Sequence, residues 1–340
     1  MAMSRRTFLN TCLGLGVIAV AGRQAARADM QRQRWYLFGT LVDVTLGGVS
    51  LAEPVPTFSA LSAELQRRNR DWHPWQPGMM GDINDAIAEN EGIEIDEHMA
   101  YMIGHSQAIH RASGGLFNPA IGKVMRLWGF HGGDSVNWKM PQAEAIERVI
   151  TARPSPLDLR VEDGRLCSNN CEVQLDFGGY AKGYAIDLGR RLLAARGIGH
   201  ALINAGGDLV TLGDAPDGNP WRVAIRHPQR GGRIAWMEAS GDEAVFTSGN
   251  YERYRENGGR RYPHIIDPRT CRPVHGVASA TVVHTDAALA DAAATALVVA
   301  GPGRWRDVAD TLGVDRAMVV DEQGRVALTP AMRGRVHLDA

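Results

Sequence analysis

The stretch "DFGGYAKGYAID", from Asp176 to Asp187, combines residue types that bind phosphate groups. The glycine pair Gly178-Gly179 lets the main chain approach a ligand closely, and Lys182 is predicted in the first turn of a helix. Free N–H groups and the dipole at a helix start favour anions, and the lysine adds a full positive charge. The stretch therefore predicts either a pyrophosphate cradle or an ordinary turn between a strand that ends at Asp176 and a helix.

A second glycine pair stands in "INAGGDL", from Ile203 to Leu209, and an acid follows it directly. Inside a strand, Gly206-Gly207 is consistent with a simple β-bulge. Together with the first glycine pair, it offers a second place where main chain could face a flat ligand.

The alanine-rich stretch "ALADAAATALV" carries Asp291 and Thr295 four residues apart, so one face of one helix presents both. A carboxylate and a hydroxyl suit Mg²⁺, which takes few protein ligands and keeps waters and phosphate oxygens. The alternative is structural: Asp291 caps the helix, and Thr295 bonds back to its own backbone.

A lone histidine, His264, lies in "RRYPHIIDPRTCRP" among several arginines. A neutral imidazole can remove a proton from a hydroxyl near neutral pH, so His264 is a candidate general base. The alternative is a histidine that serves only to stabilise a strand.

The surrounding patterns indicate how these residues are held. Helical periodicity appears at about 57–69, 95–112 and 141–152, in a long helix that Gly197 stops, and in a helix that ends at Gly301-Pro302. Strand patterns include "RWYLFGTLVDVTLGG" and "HALINAGGDLVTLG", the latter with its glycine pair at the centre of one strand. Because helices and strands alternate without a strict βαβ rhythm, we predict an α+β fold with a mixed, mainly antiparallel sheet and flanking helices.

Composition limits the classes of function. The 340 residues are 44% hydrophobic and 22% charged, which is typical of a soluble globular protein with a substantial core. The formal net charge of −1 and the lack of a long basic stretch give no electrostatic support to a nucleic-acid partner. Cys167 and Cys171 in "CSNNC" could form a local disulfide or remain free thiols, and Cys271 is left over.

The first 28 residues have the pattern of an export signal. Paired arginines, Arg5 and Arg6, precede the apolar run "CLGLGVIAVAG", and "ARA" at 26–28 has the A-x-A form of a cleavage site. The arginine pair followed by Phe8-Leu9 is typical of a twin-arginine signal. We therefore predict export to the periplasm and a mature domain over 29–340, with retention at the inner membrane if the signal is not cleaved.

Five motifs together resemble the ApbE family of FAD:protein FMN transferases. They are "DFGGYAKGYAID", "INAGGDL", "TSGNYERY", "HIIDPRTCRP" and "ADAAATAL", in this order and spacing. The resemblance extends from Phe38-Gly39-Thr40 to the C-terminal helices. It implies Mg²⁺-dependent cleavage of the FAD pyrophosphate, with FMN passed to a Thr or Ser hydroxyl of a target protein and AMP released. FAD is then a substrate, and the target is a redox subunit of a membrane or periplasmic electron-transfer system.

The resemblance also implies roles for individual residues. His264 matches the base that activates the acceptor hydroxyl, and the metal ligands match Gly179 (through its carbonyl), Asp291 and Thr295. The positions that match the FAD site are Phe38, Trp75, Leu116, Phe117, Asn118, Asp176, Lys182 and Ile265.

The sequence departs from the family pattern at three positions, where Asn250 and Asn118 replace aspartates and Cys271 replaces a glycine. A Cβ at Cys271 disfavours positive φ, so a different turn is expected there. Two other functions remain open: a Mg²⁺-dependent FAD pyrophosphatase that uses water as acceptor, and a periplasmic flavin-binding protein without catalytic activity. A carrier would not need the Asp291 and Thr295 pair beside the pyrophosphate.

Overall fold

A computed structural model describes residues 30–48, 54–131 and 138–339. The predicted export signal at 1–28 lies outside the described residues. Within the described part, no helix combines the length and the apolar character needed to cross a membrane.

The secondary structure interleaves helices with strands, as predicted. The helices are α1 (Pro54–Asp71), α2 (Met79–Ala88), α3 (Glu97–Ala112), α4 (Gly122–Leu127), α5 (Ala143–Ala152), α6 (Ala181–Ala195), α7 (Ala287–Ala300), α8 (Trp305–Thr311) and α9 (Pro330–Arg333). The strands are β1 (Met30–Leu37), β2 (Thr40–Gly47), β3 (Ile93–Glu94), β4 (Leu159–Glu162), β5 (Arg165–Ser168), β6 (His200–Ala205), β7 (Asp208–Leu212), β8 (Trp221–Arg226), β9 (Arg233–Ala239), β10 (Ala244–Gly249), β11 (Tyr254–Asn257), β12 (Arg260–Pro263), β13 (Ile266–Asp267), β14 (Arg272–Pro273), β15 (Val277–His284), β16 (Arg316–Asp321), β17 (Val326–Leu328) and β18 (Val336–Leu338).

An eight-stranded sheet organises the molecule, in the order β1-β2-β6-β7-β10-β15-β16-β17. Every neighbouring pair in it is antiparallel. The predicted α+β class with a mainly antiparallel sheet is confirmed, and parallel pairing among the described residues is limited to one bridge between Ile121 and Gln174.

Alternating side chains of this sheet serve two cores. In β10, Ala244 and Phe246 face the helices, whereas Val245 faces the small sheet β18-β9-β8 on the opposite side. This period of two is what a strand buried on both faces requires. The helix layer on the first face includes α1, α6 and α7, so that face positions the candidate site.

The alanine-rich sequence of α7 explains its place in the centre of the helix layer. Alanine has the highest helix propensity, and its small side chain lets neighbouring elements approach closely. Asp286 caps the helix by accepting from the Leu289 N–H at 2.9 Å, and Gly301 ends it with a positive φ of 75°.

Two predicted strands differ in the structure. "HALINAGGDLVTLG" forms the hairpin β6–β7, and Gly206-Gly207 is its two-residue turn and not a bulge within one strand. Both glycines have positive φ, as tight hairpin turns require. The residues before Asp176 do not form a strand either, because only Gln174 makes a bridge. The segment "VQLDF" is buried and makes only a short parallel contact with residues 119–122, through backbone hydrogen bonds of Gln174 and Asp176.

The turn at Cys271 keeps the positive φ that its side chain disfavours, so the expected change of turn is wrong. Cys271 has φ of 54°, and its N–H donates to the Asp267 carbonyl at 2.8 Å. Its carbonyl accepts from the Trp128 indole N–H, also at 2.8 Å. These bonds offset the ~1–2 kcal/mol cost of the left-handed conformation. The other two described cysteines, Cys167 and Cys171, are exposed free thiols.

Candidate active site

The start of α6 leaves backbone N–H groups free for a ligand. Asp176 Oδ1 accepts from the Gly178 N–H at 2.8 Å, which folds the glycine pair back toward the helix. Among the described residues, the N–H groups of Gly179 and Lys182 find no acceptor. Unpaired N–H groups at a helix start bind anions. The predicted cradle geometry is therefore present, although no strand precedes it.

Lys182 lies in the first turn of α6, and its ammonium group forms an ion pair with Asp208. Asp208 is buried, and its second oxygen accepts from the Thr247 N–H at 2.7 Å. The Lys182 ammonium also lies 5.8 Å from the centre of the Phe246 ring. The ends of β7 and β10 thus hold the lysine in one orientation, with its charge close to the first turn of α6. Asp208 was not among the predicted site residues, although its place after the glycine pair was a usable signal.

Helices α6 and α7 cross at Gly183. A side chain at Gly183 would overlap the Ala287 carbonyl and lie 2.9 Å from Asp291 Cβ. Instead of bonding the Gly179 carbonyl within its own helix, the Gly183 N–H donates to Asp291 Oδ2 at 3.0 Å. Asp291 is therefore not a helix cap: the cap is Asp286, and the capping alternative for Asp291 is wrong.

The Gly183 contact gives a test of the crossing. Gly183→Ala is expected to lower the free energy of unfolding by about 1–3 kcal/mol, because the added methyl group forces the two helices apart. Gly104→Ala is the matched control, since Gly104 lies in α3 with no heavy atom within 4 Å of the added Cβ. It should raise stability by about 0.5–1 kcal/mol through helix propensity. Urea unfolding of both variants checks this, and equal effects would contradict the close crossing.

The three predicted metal positions converge at this crossing. A methyl group on Gly179 would lie 2.9 Å from Thr295 Oγ1, so the Gly179 backbone and Thr295 are neighbours. Thr295 Oγ1 is 3.0 Å from Ser248 Oγ, which the alternation of β10 turns to the helix face. It is also 3.4 Å from the Asp291 carbonyl, so the predicted back-bond exists but is long.

The donors at the crossing fit a hard cation. With the Gly183 N–H diverted to Asp291, the Gly179 carbonyl has no backbone donor among the described residues. Asp291 Oδ1 likewise has no hydrogen-bond partner in the described part. Burial raises the pKa of Asp291, while Lys182 and the Gly183 N–H oppose that rise. A carbonyl, a carboxylate and a hydroxyl are the oxygen ligands that Mg²⁺ accepts.

The candidate metal site differs from a conventional cluster of charged or sulfur ligands. Over residues 30–48, 54–131 and 138–339, no group of three or more His, Cys, Asp or Glu side chains could hold a metal ion. A site at the crossing would depend on one carboxylate, with the remaining coordination supplied by neutral oxygens and by the ligand.

His264 follows β12 directly, in the joint between two small hairpins, β11–β12 and β13–β14. Its backbone N–H and its Nδ1 both bond the Arg253 carbonyl, at 3.0 and 3.1 Å. Because a carbonyl only accepts, Nδ1 carries the proton and Nε2 keeps its lone pair. The Phe130 ring lies edge-on, with its centre 6.3 Å from that of the imidazole.

The electrostatic surroundings keep His264 neutral. Burial of the imidazole lowers the pKa of His264 to about 4, and the positive charges of Arg253 and Lys182 act in the same direction. Burial raises the pKa of Asp176, against the Gly178 N–H and the charge of Arg253. Arg253 thus influences both groups, although it was not among the predicted site residues. Its position in "TSGNYERY" was the available signal.

Two of the predicted FAD positions, Phe38 and Trp75, are half-buried rings. Phe38 occupies the β1–β2 turn with φ of 53°, and its N–H donates to Asn69 Oδ1 at 2.7 Å. The neighbouring Thr40 side chain touches Gly206, so the β1–β2 and β6–β7 turns lie at the same end of the sheet. Trp75 packs edge-on against His131, at 5.7 Å between ring centres.

The other predicted FAD positions have buried side chains. Leu116, Phe117 and Ile265 are each at most 5% exposed. The amide of Asn118 is satisfied within the protein, because it donates to the Pro154 carbonyl and accepts from the Ala120 N–H. The segment lies beside Asp176, whose N–H donates to the Pro119 carbonyl at 2.8 Å.

Asn250 uses its amide in a way that an aspartate could not. Its Nδ2 donates to the carbonyls of Val277 and Val274, at 2.7 and 3.2 Å. A carboxylate has no proton to donate at neutral pH, so the loop after β14 is held here by a contact specific to asparagine.

Comparison with known proteins shows similarity to proteins named FAD:protein FMN transferases. The ApbE family model matches residues 38–318. A Rhodobacter capsulatus FAD:protein FMN transferase is 39% identical over 336 residues, covering 98% of this chain and 64% of that protein. A Klebsiella pneumoniae protein of the same name is 31% identical, covering 84% of this chain and 82% of its own length. The chain therefore spans less than two thirds of the first of these relatives.

Solved structures agree with the sequence matches. The crystal structure of the ApbE protein of Thermotoga maritima aligns with a TM-score of 0.82 and 30% identity, over 90% of this chain and 98% of that one. The apo form of the Pseudomonas stutzeri flavinyl transferase ApbE aligns with a TM-score of 0.80 and 28% identity, over 90% and 96%. On the family match and the fold together, this chain belongs to the ApbE family.

Proposed function

We propose that this protein transfers FMN from FAD to a Thr or Ser hydroxyl of a target protein, in a Mg²⁺-dependent reaction that releases AMP. The observation that carries the proposal is that a candidate metal site and a candidate general base lie near the same lysine, Lys182. At the α6–α7 crossing lie the three candidate metal donors, the Gly179 carbonyl, Asp291 and Thr295. His264 presents an unprotonated Nε2, and the charge of Lys182 helps to lower its pKa. The names of the relatives support the same activity.

The bond changes assign a task to each group. An oxygen–phosphorus bond forms between the acceptor hydroxyl and the FMN phosphorus, and the bond to the AMP phosphate breaks. His264 Nε2 accepts the hydroxyl proton, which later leaves to solvent or to AMP. Lys182 and the free N–H groups at the start of α6 hold the pyrophosphate. The Gly179 carbonyl, Asp291 and Thr295 would hold Mg²⁺, which offsets negative charge on the phosphates.

A transfer assay tests the proposal. An extract of source cells that lack this gene supplies the unflavinylated acceptor, and purified protein is added with FAD and Mg²⁺. After denaturing electrophoresis, a fluorescent protein band should appear only when all three are present. Fluorescence that is independent of Mg²⁺ would contradict the metal requirement. No band, with FAD left intact, would favour the flavin-binding alternative.

We further propose that the protein acts in the periplasm after twin-arginine export. Replacing Arg5 and Arg6 together by lysine keeps the positive charge but removes the paired arginines that the pathway reads. Unprocessed precursor should then accumulate inside the cell, as seen by immunoblotting of fractions. The single Arg23→Lys variant is the control, and normal processing of the double variant would contradict this route.

A further inference from the structure

His105, which was not among the predicted site residues, lies near the starts of α6 and α7, the two helices at the candidate metal site. His105 lies on α3, and its Nδ1 is 3.0 Å from the Tyr180 hydroxyl. Its Nε2 is 3.8 Å from Asp286 Oδ2. Tyr180 stands between Gly179 and α6, and Asp286 caps α7. His105 therefore bonds the residue at the start of α6 and lies near the residue that caps α7.

The neighbours of His105 indicate which of its ring nitrogens carries the proton. At 3.8 Å the Asp286 carboxylate is too far for a hydrogen bond, but its negative charge favours a proton on Nε2, which leaves Nδ1 to accept from the Tyr180 O–H. Burial lowers the pKa of His105, against the charge of Asp286, so the neutral ring that this arrangement requires is favoured. The other oxygen of Asp286 accepts from the Leu289 N–H.

Tyr180 transmits this position to the Gly179 carbonyl. The Tyr180 ring is fully buried and packs against Phe177 and Phe117, at 5.7 and 6.3 Å between ring centres. The Tyr180 N–H belongs to the same peptide plane as the Gly179 carbonyl, and it donates to the Phe177 carbonyl at 2.9 Å. Because a peptide unit is planar, anchoring Tyr180 by its ring and its N–H sets the direction of the Gly179 carbonyl.

We propose that His105 is a positioning residue for the metal site: through its hydrogen bond to Tyr180 it aims the Gly179 carbonyl. The proposal rests on the Mg²⁺ site of the proposed function.

A second histidine–tyrosine pair, His98 and Tyr184, joins α3 to α6 but does not contact the residue next to the Gly179 carbonyl. His98 Nδ1 is 3.0 Å from the Tyr184 hydroxyl, so it also joins α3 to α6 by one His–Tyr hydrogen bond. Its Nε2 faces Glu97 of its own helix, 4.0 Å away, and not α7. Tyr184 lies inside α6, one turn past the Gly179 carbonyl. Loss of this bond should weaken the packing of α3 without moving the metal donors.

The experiment compares Tyr180→Phe and His105→Phe with Tyr184→Phe and His98→Phe. Flavin fluorescence measures FAD affinity over a range of Mg²⁺ concentrations, and urea unfolding measures stability. We expect the first two variants to need about 10- to 100-fold more Mg²⁺ to reach the same FAD affinity, the usual effect of an outer-shell partner. The two control variants should follow the wild type, and metal-free FAD affinity should be unchanged in all four.

Two results would overturn the inference. One is a normal Mg²⁺ requirement in Tyr180→Phe, which removes a single oxygen and is expected to fold. The other is an equal shift in all four variants, because that would indicate loosened packing of α3. If the wild type itself shows no response to Mg²⁺, the proposed metal site fails, and the inference fails with it.

Discussion

Asp291→Asn should reduce FMN transfer at limiting Mg²⁺ by about 10²–10³-fold, the loss that several kcal/mol of charge stabilisation implies. Asparagine keeps an oxygen that can accept the Gly183 N–H, so the α6–α7 crossing is retained while the negative charge is removed. Asp291→Ala should be at least as severe. Thr295→Val should cost less, since a hydroxyl contributes only a dipole. Initial rates at several Mg²⁺ concentrations measure each effect.

The free energy of unfolding distinguishes a carboxylate that binds the metal ion from one that only stabilises the fold. Burial raises the pKa of Asp291, which means that the folded protein disfavours its charged form. Removing the charge at pH 7 should therefore leave the free energy of unfolding unchanged or higher. Ser248→Ala is the control, because it removes the neighbour of Thr295 without removing a proposed ligand. Wild-type transfer by Asp291→Asn at limiting Mg²⁺ would make the helix pair structural.

His264→Asn should lower transfer by about 10²–10⁴-fold, the range for a lost general base. The asparagine amide can still donate to the Arg253 carbonyl, which retains the anchor that Nδ1 provides. FAD affinity and melting temperature should stay near the wild-type values, since neither needs a base. Transfer should recover partly as pH rises and the acceptor hydroxyl ionises. A variant that loses stability and FAD affinity together, without recovery at high pH, would indicate a structural histidine.

The pH profile of the wild type provides an independent check on His264. Only the neutral ring accepts a proton, and the pKa of His264 in the free protein is lowered to about 4. With FAD subsaturating, kcat/KM should therefore stay level down to about pH 5.5, whereas an unperturbed histidine would lose half its activity near pH 6.5. Bound pyrophosphate adds negative charge, which raises the pKa, so kcat should fall at a higher pH than kcat/KM. Coincident acid limbs near pH 6.5 would contradict this account.

The sequence predicted those parts of the site whose residues share one element or one turn. Asp291 and Thr295 lie one helical turn apart, and the glycine pair before Lys182 indicates a helix start, so spacing alone was informative. The predicted strand before Asp176 is reduced to a short bridge, because its pairing partner at residues 119–122 turns into α4. The hairpin at Gly206-Gly207 was also misread, although two adjacent glycines are a turn signal.

Contacts between distant segments left no local pattern to find. Asp208 meets Lys182 only because β7 lies beside β10 under the start of α6. His105 is one of several histidines on α3, and nothing in its neighbourhood in the sequence indicates Tyr180 or Asp286. At Cys271, the intrinsic preference against positive φ was correct in direction but smaller than the hydrogen bonds that hold the turn.

The stoichiometry of FAD cleavage distinguishes FMN transfer to a protein from hydrolysis of FAD. Purified protein, Mg²⁺ and FAD are incubated with and without the extract that supplies the acceptor, and AMP and covalently bound flavin are both measured. We predict one AMP for each flavin attached, a flavin phosphoester on a Thr or Ser by peptide mass spectrometry, and almost no AMP without the acceptor. AMP and free FMN released at the same rate without the acceptor would contradict the account and indicate a pyrophosphatase.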